Sequence, residues 1–188
     1  NNLLFKIIYS YLTTKNMKTV SLIFTLMTFT LNVIGQITEK VVYQEKGETE
    51  TYEIRKGDKS KFIYRAEISF EKVASPDVAV KEYKVWPIKT ILNDKEYVKK
   101  YLKSEIKENI TSENSFLAIS YFYELTSGKI KWITVFHNSS ITIPIKAIEK
   151  FEKIMRTEDK ATFNRNTSDI KDILFFERYV PYDLLNLD

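Results

Sequence analysis

The sequence predicts an α+β fold, with about four N-terminal antiparallel strands followed by helix, strand, strand, helix and strand. Three observations carry the prediction. Residues 60–73 alternate apolar and polar side chains, residues 94–109 and 144–156 repeat apolar side chains at helical spacing, and two aromatic-rich runs flank Ser127-Gly128.

The strands come first. Residues 38–45 and 49–55 read as strands joined across Lys46-Gly47-Glu48, and Gly57-Asp58 makes the next turn. Within 60–73, Phe62, Tyr64, Ala66, Ile68 and Phe70 face one way, while Lys61, Arg65, Glu67, Ser69 and Glu71 face the other. That is the pattern of a sheet with one wet face. Ser75-Pro76-Asp77 ends the run. Residues 78–86 read as a further strand whose apolar phase switches at Lys81-Glu82, which predicts a bulge, and Pro87 stops it.

Asn93 and Glu96 stand at capping-box spacing and open a helix over 94–109. Tyr97, Val98, Tyr101, Leu102 and Ile106 form its apolar stripe, with Lys95, Lys99 and Lys103 on a solvated side. The hairpin follows. Residues 116–126 and 129–137 flank a two-residue Ser127-Gly128 loop, and the resulting register sets Glu124 opposite Lys131, Tyr123 opposite Trp132, Leu125 opposite Ile130 and His137 opposite Ala118. Pro144 at a first helical position, with Thr142 as cap, opens a second helix through Ile145, Ile148, Phe151 and Met155. A polar loop over 157–168 leads to a last strand, 172–180, after which Leu184, Leu185 and Leu187 pack back on the body.

The organisation along the chain is a leader and one domain. Residues 1–16 precede Met17 and read as an over-extended gene start. Residues 17–35 read as a signal peptide: Met17-Lys18 is the positive end, 19–34 the apolar run, and Val33 and Gly35 are the small residues of a cleavage site that frees Gln36. The apolar run is diluted by threonines, Ser21 and Asn32 and is short for a membrane span, so no membrane attachment is expected after cleavage. Residues 36–188 form a single α+β domain. Its expected location is secreted or periplasmic, in a bacterial envelope.

Charge and composition exclude several functions. The chain has 29 basic and 25 acidic side chains, a formal charge of +4. Three of the lysines (Lys6, Lys15, Lys18) lie in the first 35 residues, which hold no acid, so the remainder is close to neutral and no nucleic-acid partner is expected. Without cysteine there are no disulfides, thiol nucleophiles or thiolate metal sites. The glycines Gly47, Gly57 and Gly128 are each used in a turn, leaving none for a phosphate-binding loop. No cofactor or metal is expected, and no catalytic set.

What remains is surface. Taken with its turn, the hairpin buries Ile119, Tyr121, Tyr123, Leu125, Ile130, Trp132 and Phe136, and presents a half-apolar second face with Phe122, Ile133 and Val135 beside Ser120, Glu124 and Lys131. Phe122, Trp132, Ile133, Val135 and His137 are the candidate binding surface, for an unidentified protein or peptide. The expected function is a non-catalytic binding module, not an enzyme. The alternative is a small hydrolase of an envelope polymer, with the single histidine, His137, as base beside a carboxylate.

From Asn93 onward, the order helix, strand, Ser127-Gly128-Lys129 turn, strand, Pro-started helix, strand resembles the C-terminal domain of TonB-type energy transducers, over residues 93–180. The segment has no Tyr-Pro after its first helix and no Pro-rich linker before it, so the resemblance implies a fold and not energy transduction. The chain is also similar to small secreted bacterial proteins of unknown function.

Overall fold

A computed structural model of the chain describes residues 41–90, 93–164, 166–167 and 170–187. The chain divides into two compact units, Asn1–Thr38 and Glu39–Asp188, and every described residue belongs to the second. The expected gene start, signal peptide and cleavage point lie outside the described residues.

The first three strands form a meander. β1 (Val41–Lys46) turns into β2 (Thr51–Lys56) through a Gly47 N–H to Glu50 C=O bond of 2.8 Å, and β2 turns into β3 (Ser60–Arg65) through Gly57 N–H to Ser60 C=O at 2.9 Å. β4 (Val73–Ala74), helix α1 (Pro76–Lys81), β5 (Pro87–Thr90) and helix α2 (Asp94–Tyr101) follow. Then come β6 (Phe116–Glu124), β7 (Ile130–Asn138), helix α3 (Ile145–Glu158), β8 (Ala161–Phe163) and β9 (Phe175–Asp183). Seven strands make one sheet in the order β1-β2-β3-β7-β6-β9-β4, antiparallel except for β4 against β9, and β5 pairs with β8 separately. The fold is α+β and opens with N-terminal antiparallel strands, as expected.

Period-two alternation sorts the side chains of neighbouring strands onto shared faces. Ile54 opposes Ile63, Ile63 opposes Val135, Val135 opposes Ile119, and Ile119 opposes Val180, a continuous row on one face. Helix α3 covers that row with Ile148, Phe151 and Met155, all buried at one-turn spacing. Burying a ring such as Phe151 stabilises the fold by about 2–3 kcal/mol. The opposite face carries rings: Phe122 stacks on Trp132 at 5.0 Å between centroids, Trp132 meets Phe175 edge-on at 4.5 Å, and Phe70, from the loop after β3, closes on Tyr64 and Phe122. Among the described residues no helix is long and apolar enough to cross a membrane.

Several sequence expectations are corrected. The run 60–73 is not one strand: β3 stops at Arg65, because β2 begins at Thr51 and its last ladder bond is the one Ala66 N–H donates to Thr51 C=O at 2.9 Å. Lys72 then takes a positive φ of 58° to start β4. Residues 78–86 form no strand. Ser75 caps α1, with Pro76 in its first turn and Asp77 beside the helix N-terminus, so the triplet read as a strand stop is a helix start. Helix α2 ends at Tyr101 and continues only as a 3₁₀ turn, Lys103–Glu105, and Asn93 makes no side-chain cap bond. Pro144, rather than Thr142, holds the cap position of α3. The polar loop 157–168 contains β8. The last strand begins at Phe175 and runs through Pro181 to Asp183, and of the three terminal leucines Leu184 and Leu187 are buried while Leu185 is exposed.

The hairpin correction matters most for the site. Gly128, at φ +70°, donates its N–H to Glu124 C=O at 2.7 Å, and Glu124 N–H reaches Lys129 C=O at 2.9 Å. The loop is therefore four residues, Leu125 to Gly128. Leu125 leaves the hairpin ladder, donating to Leu174 C=O at 2.9 Å and accepting from Thr167 Oγ1 at 2.6 Å. The register then shifts between Phe122 and Tyr123, so that Phe122 opposes Trp132 and Leu117 opposes His137. A slip of one residue turns the β7 side chains from Trp132 to His137 to the other face.

Candidate functional site

That slip dissolves the expected surface. Ile133, Val135 and His137 face α3 with Leu117, Ile119 and Tyr121, while Phe122 and Trp132 lie on the opposite face. All five are buried. Phe122 and Trp132 touch each other, and Ile133 and Val135 join the main core, but the five form no common exposed patch. The indole Nε1 of Trp132 has no hydrogen-bond partner among the described residues.

His137 is 0% exposed. Its Nδ1 lies 2.8 Å from the carbonyl oxygen of Asn138. A carbonyl only accepts, so Nδ1 carries the proton and Nε2 is left as a buried lone pair without a partner among the described residues. Burial pushes the imidazole down to about 4; the bond to Asn138 opposes this, Lys61 adds to it, and Glu108 opposes it. Lys61, directly across the ladder, is itself lowered, first by burial and then by Lys56, and donates to Ile141 C=O at 3.2 Å. A general base must reach its substrate's proton, and this ring reaches only its own strand end.

The polar groups under α3 are held in pairs. Tyr52 donates to Glu152 at 2.8 Å while Arg65 Nε lies 3.2 Å from the same carboxylate. Burial raises Glu152 and outweighs the opposing pull of Arg65 and the Tyr52 hydroxyl. Arg178 pairs with Asp94 at 2.9 Å and lies over the Tyr121 ring, whose hydroxyl meets Tyr182 at 2.9 Å. Tyr123 donates to Asp159 at 2.6 Å. These contacts pin α2 and α3 to the sheet. Among the described residues, no group of three or more His, Asp or Glu side chains is placed to hold a metal ion.

The open surface lies at the sheet's edge. Among the described residues nothing pairs with the outer side of β1, whose Val42 and Tyr43 are 51% and 40% exposed. Its turn is fixed from below by Glu149 of α3, which accepts from Thr49 N–H at 2.8 Å, from the Thr49 hydroxyl, and from Glu48 N–H. Burial would raise this carboxyl, but the Thr49 hydroxyl and the turn amides outweigh it and hold it below the usual range. Gly47 lets the turn approach, since a Cβ there would run into the Glu149 carboxylate. Sequence reasoning found β1 and its turn and missed Glu149, because a helix glutamate a hundred positions away carries no local signal. At the other side of the sheet, β9 is paired by β4 only at Phe175 and Phe176 and carries Pro181, which has no N–H to offer.

No family profile matches the chain, and no curated protein does. A crystal structure of a DUF5043 family protein from Bacteroides uniformis is similar in fold, with a TM-score of 0.50 and 12% identity over 79% of this chain and 95% of that one. At that identity the likeness concerns the fold alone.

Proposed function

We propose that this chain is exported to a bacterial envelope or beyond it, and acts there as a non-catalytic module that binds an extended peptide or protein segment along the open edge of β1. The observation that carries the reading is the contrast between the two sheet edges. Soluble proteins blunt exposed edges with short strands, proline or charge. β9 has Pro181 and a short covering strand, whereas β1 is six residues long, without proline, and its charges, Glu45 and Lys46, stand at one end. A strand added there gains main-chain hydrogen bonds, and Val42 and Tyr43 offer apolar contacts on alternate faces. Glu149 keeps the turn, and therefore the edge, in place before the segment arrives, which lowers the cost of ordering on binding. Export rests on the pattern of residues 17–35.

The test has two arms. The full chain, expressed in a Gram-negative host, is expected in the periplasm or medium with Gln36 at its N-terminus; recovery of the intact leader in the soluble cytosol overturns the export reading. For binding, peptides selected from a random display library on the full chain are expected to protect β1 amides from hydrogen exchange. Failure to select any peptide, or protection confined elsewhere, overturns the edge reading.

A further inference from the structure

We infer that a second site, independent of the β1 edge, binds a small polyanion in the cleft between the last turns of α3 and the β6–β7 hairpin. The cleft encloses about 400 Å³ and is lined by Glu124, Lys129, Lys131, Lys153, Arg156 and Thr157 over a floor of Ile130. Its size is that of a small-molecule site, and its wall is four cations against one carboxylate.

The neighbouring acids are bonded to other partners. Glu124 accepts from Ser127 Oγ at 2.6 Å, Glu152 is held by Arg65 and Tyr52, Glu158 accepts from Tyr97 at 2.8 Å, and Asp159 is held by Tyr123 and the Lys160 amide. Among the described residues, none of Lys129, Lys131, Lys153 and Arg156 forms an ion pair. The arginines make the contrast plain. Arg55, Arg65 and Arg178 each hold a carboxylate, whereas Arg156, facing the cleft, acts on Glu152 only through space. This local excess is not a consequence of composition, because the whole chain is only +4.

The chemistry of the wall selects the ligand. Ile130 is the single apolar lining residue, so the cleft does not suit an apolar molecule. Three ammonium groups and a guanidinium around one space fit a compact ligand with two or more oxyanion groups, phosphate or carboxylate, with Arg156 able to take one of them through two parallel N–H bonds. No aromatic side chain lines the cleft, so it lacks the stacking platform of a single-stranded nucleic-acid groove.

Calorimetric titration of the full chain with pyrophosphate and, separately, with citrate tests this. Saturable one-to-one binding of at least one is expected, weakening as salt is raised. The stronger of the two identifies the oxyanion as phosphate or carboxylate. Arg156→Gln combined with Lys131→Gln is expected to weaken binding by about tenfold or more, and both positions lie at the surface, where such changes leave folding intact. Lys95→Gln, on α2 and away from the cleft, serves as control and is expected to leave the affinity unchanged. Absence of saturable binding of either anion by the unaltered chain overturns the inference. So does an equal loss in the Lys95→Gln control, which would show that net charge and not the cleft governs binding.

Discussion

On the face of the sheet covered by α3, hydroxyls and cations meet carboxylates: Tyr52 and Arg65 on Glu152, Arg178 on Asp94, Tyr123 on Asp159. On the opposite face rings meet rings, from Tyr64 through Phe70 and Phe122 to Trp132 and Phe175. The same strands supply both faces. The difference follows from what covers each. A helix brings its own polar side chains, which must be paired once buried, whereas a crossing loop that contributes Phe70 brings a ring that stacks without such a demand. The helix face is thus held by directional bonds that fix the position of α3, and the ring face chiefly by contact area, with Tyr64 and Arg55 on Glu53 and Ser120 on Glu177 as its side-chain bonds.

Truncation should separate the two faces. Phe151→Ala, in the centre of the helix face, is expected to cost about 4 kcal/mol. Trp132→Ala should cost nearer to about 3 kcal/mol, because the change also removes an unpaired buried N–H. Urea denaturation of both variants measures the order, and a larger loss for Trp132→Ala would break the comparison.

Removing one member of a largely buried pair comes next. Arg178→Met leaves Asp94 without its partner and is expected to cost about 3 kcal/mol. Adding Asp94→Leu should recover most of that, as a double-mutant cycle would show. If the double variant is no better than the single, the pair does not hold the face together as described.

Acid acts on the helix face through His137. His137 is held neutral in the fold down to about 4, where the unfolded chain takes up its proton near the ordinary value of 6.5. Between those values the unfolded state binds more protons, so stability falls as pH drops through this window, by an amount on the order of 3 kcal/mol at its lower end. Lys61 and Glu108 are the charged groups acting on the ring. Urea melts at pH 7 and near pH 4.5 should show the decline in the unaltered chain and a smaller one in His137→Gln.

The smallest effect sharpens the link to the edge. Glu149→Gln turns an amide group toward a backbone N–H of the β1–β2 turn and is expected to cost about 1–2 kcal/mol. Faster hydrogen exchange in β1, with the β6–β7 amides unchanged, is the expected signature. Uniform exchange would mean that Glu149 does not anchor the edge.

The sequence resolves the ring face and the helix face unequally. Alternation in Phe62 and Tyr64, the α3 stripe Ile148, Phe151 and Met155, and the turns at Gly47 and Gly57 were all legible, because each depends on neighbours within a few positions. The strand of residues 78–86 failed because Ser75-Pro76-Asp77 ends a strand and begins a helix equally well. The expected surface, Phe122, Trp132, Ile133, Val135 and His137, failed on a single loop. Whether Gly128 closes two residues or four depends on Leu125 finding partners at Leu174 and Thr167, which are distant in sequence. The open edge was illegible for the same reason, since strand order is a property of the whole sheet. The cationic cleft unites residues from the hairpin and α3 that stand apart in the chain.

Pro181 has a consequence for assembly. Its ring removes a donor near the C-terminal end of β9, and β4 reaches only the first two residues of that strand. That side of the sheet is therefore a poorer place for an added strand than β1. Two copies meeting through their β1 strands would pair around a two-fold axis and leave no free β1 edge for a third.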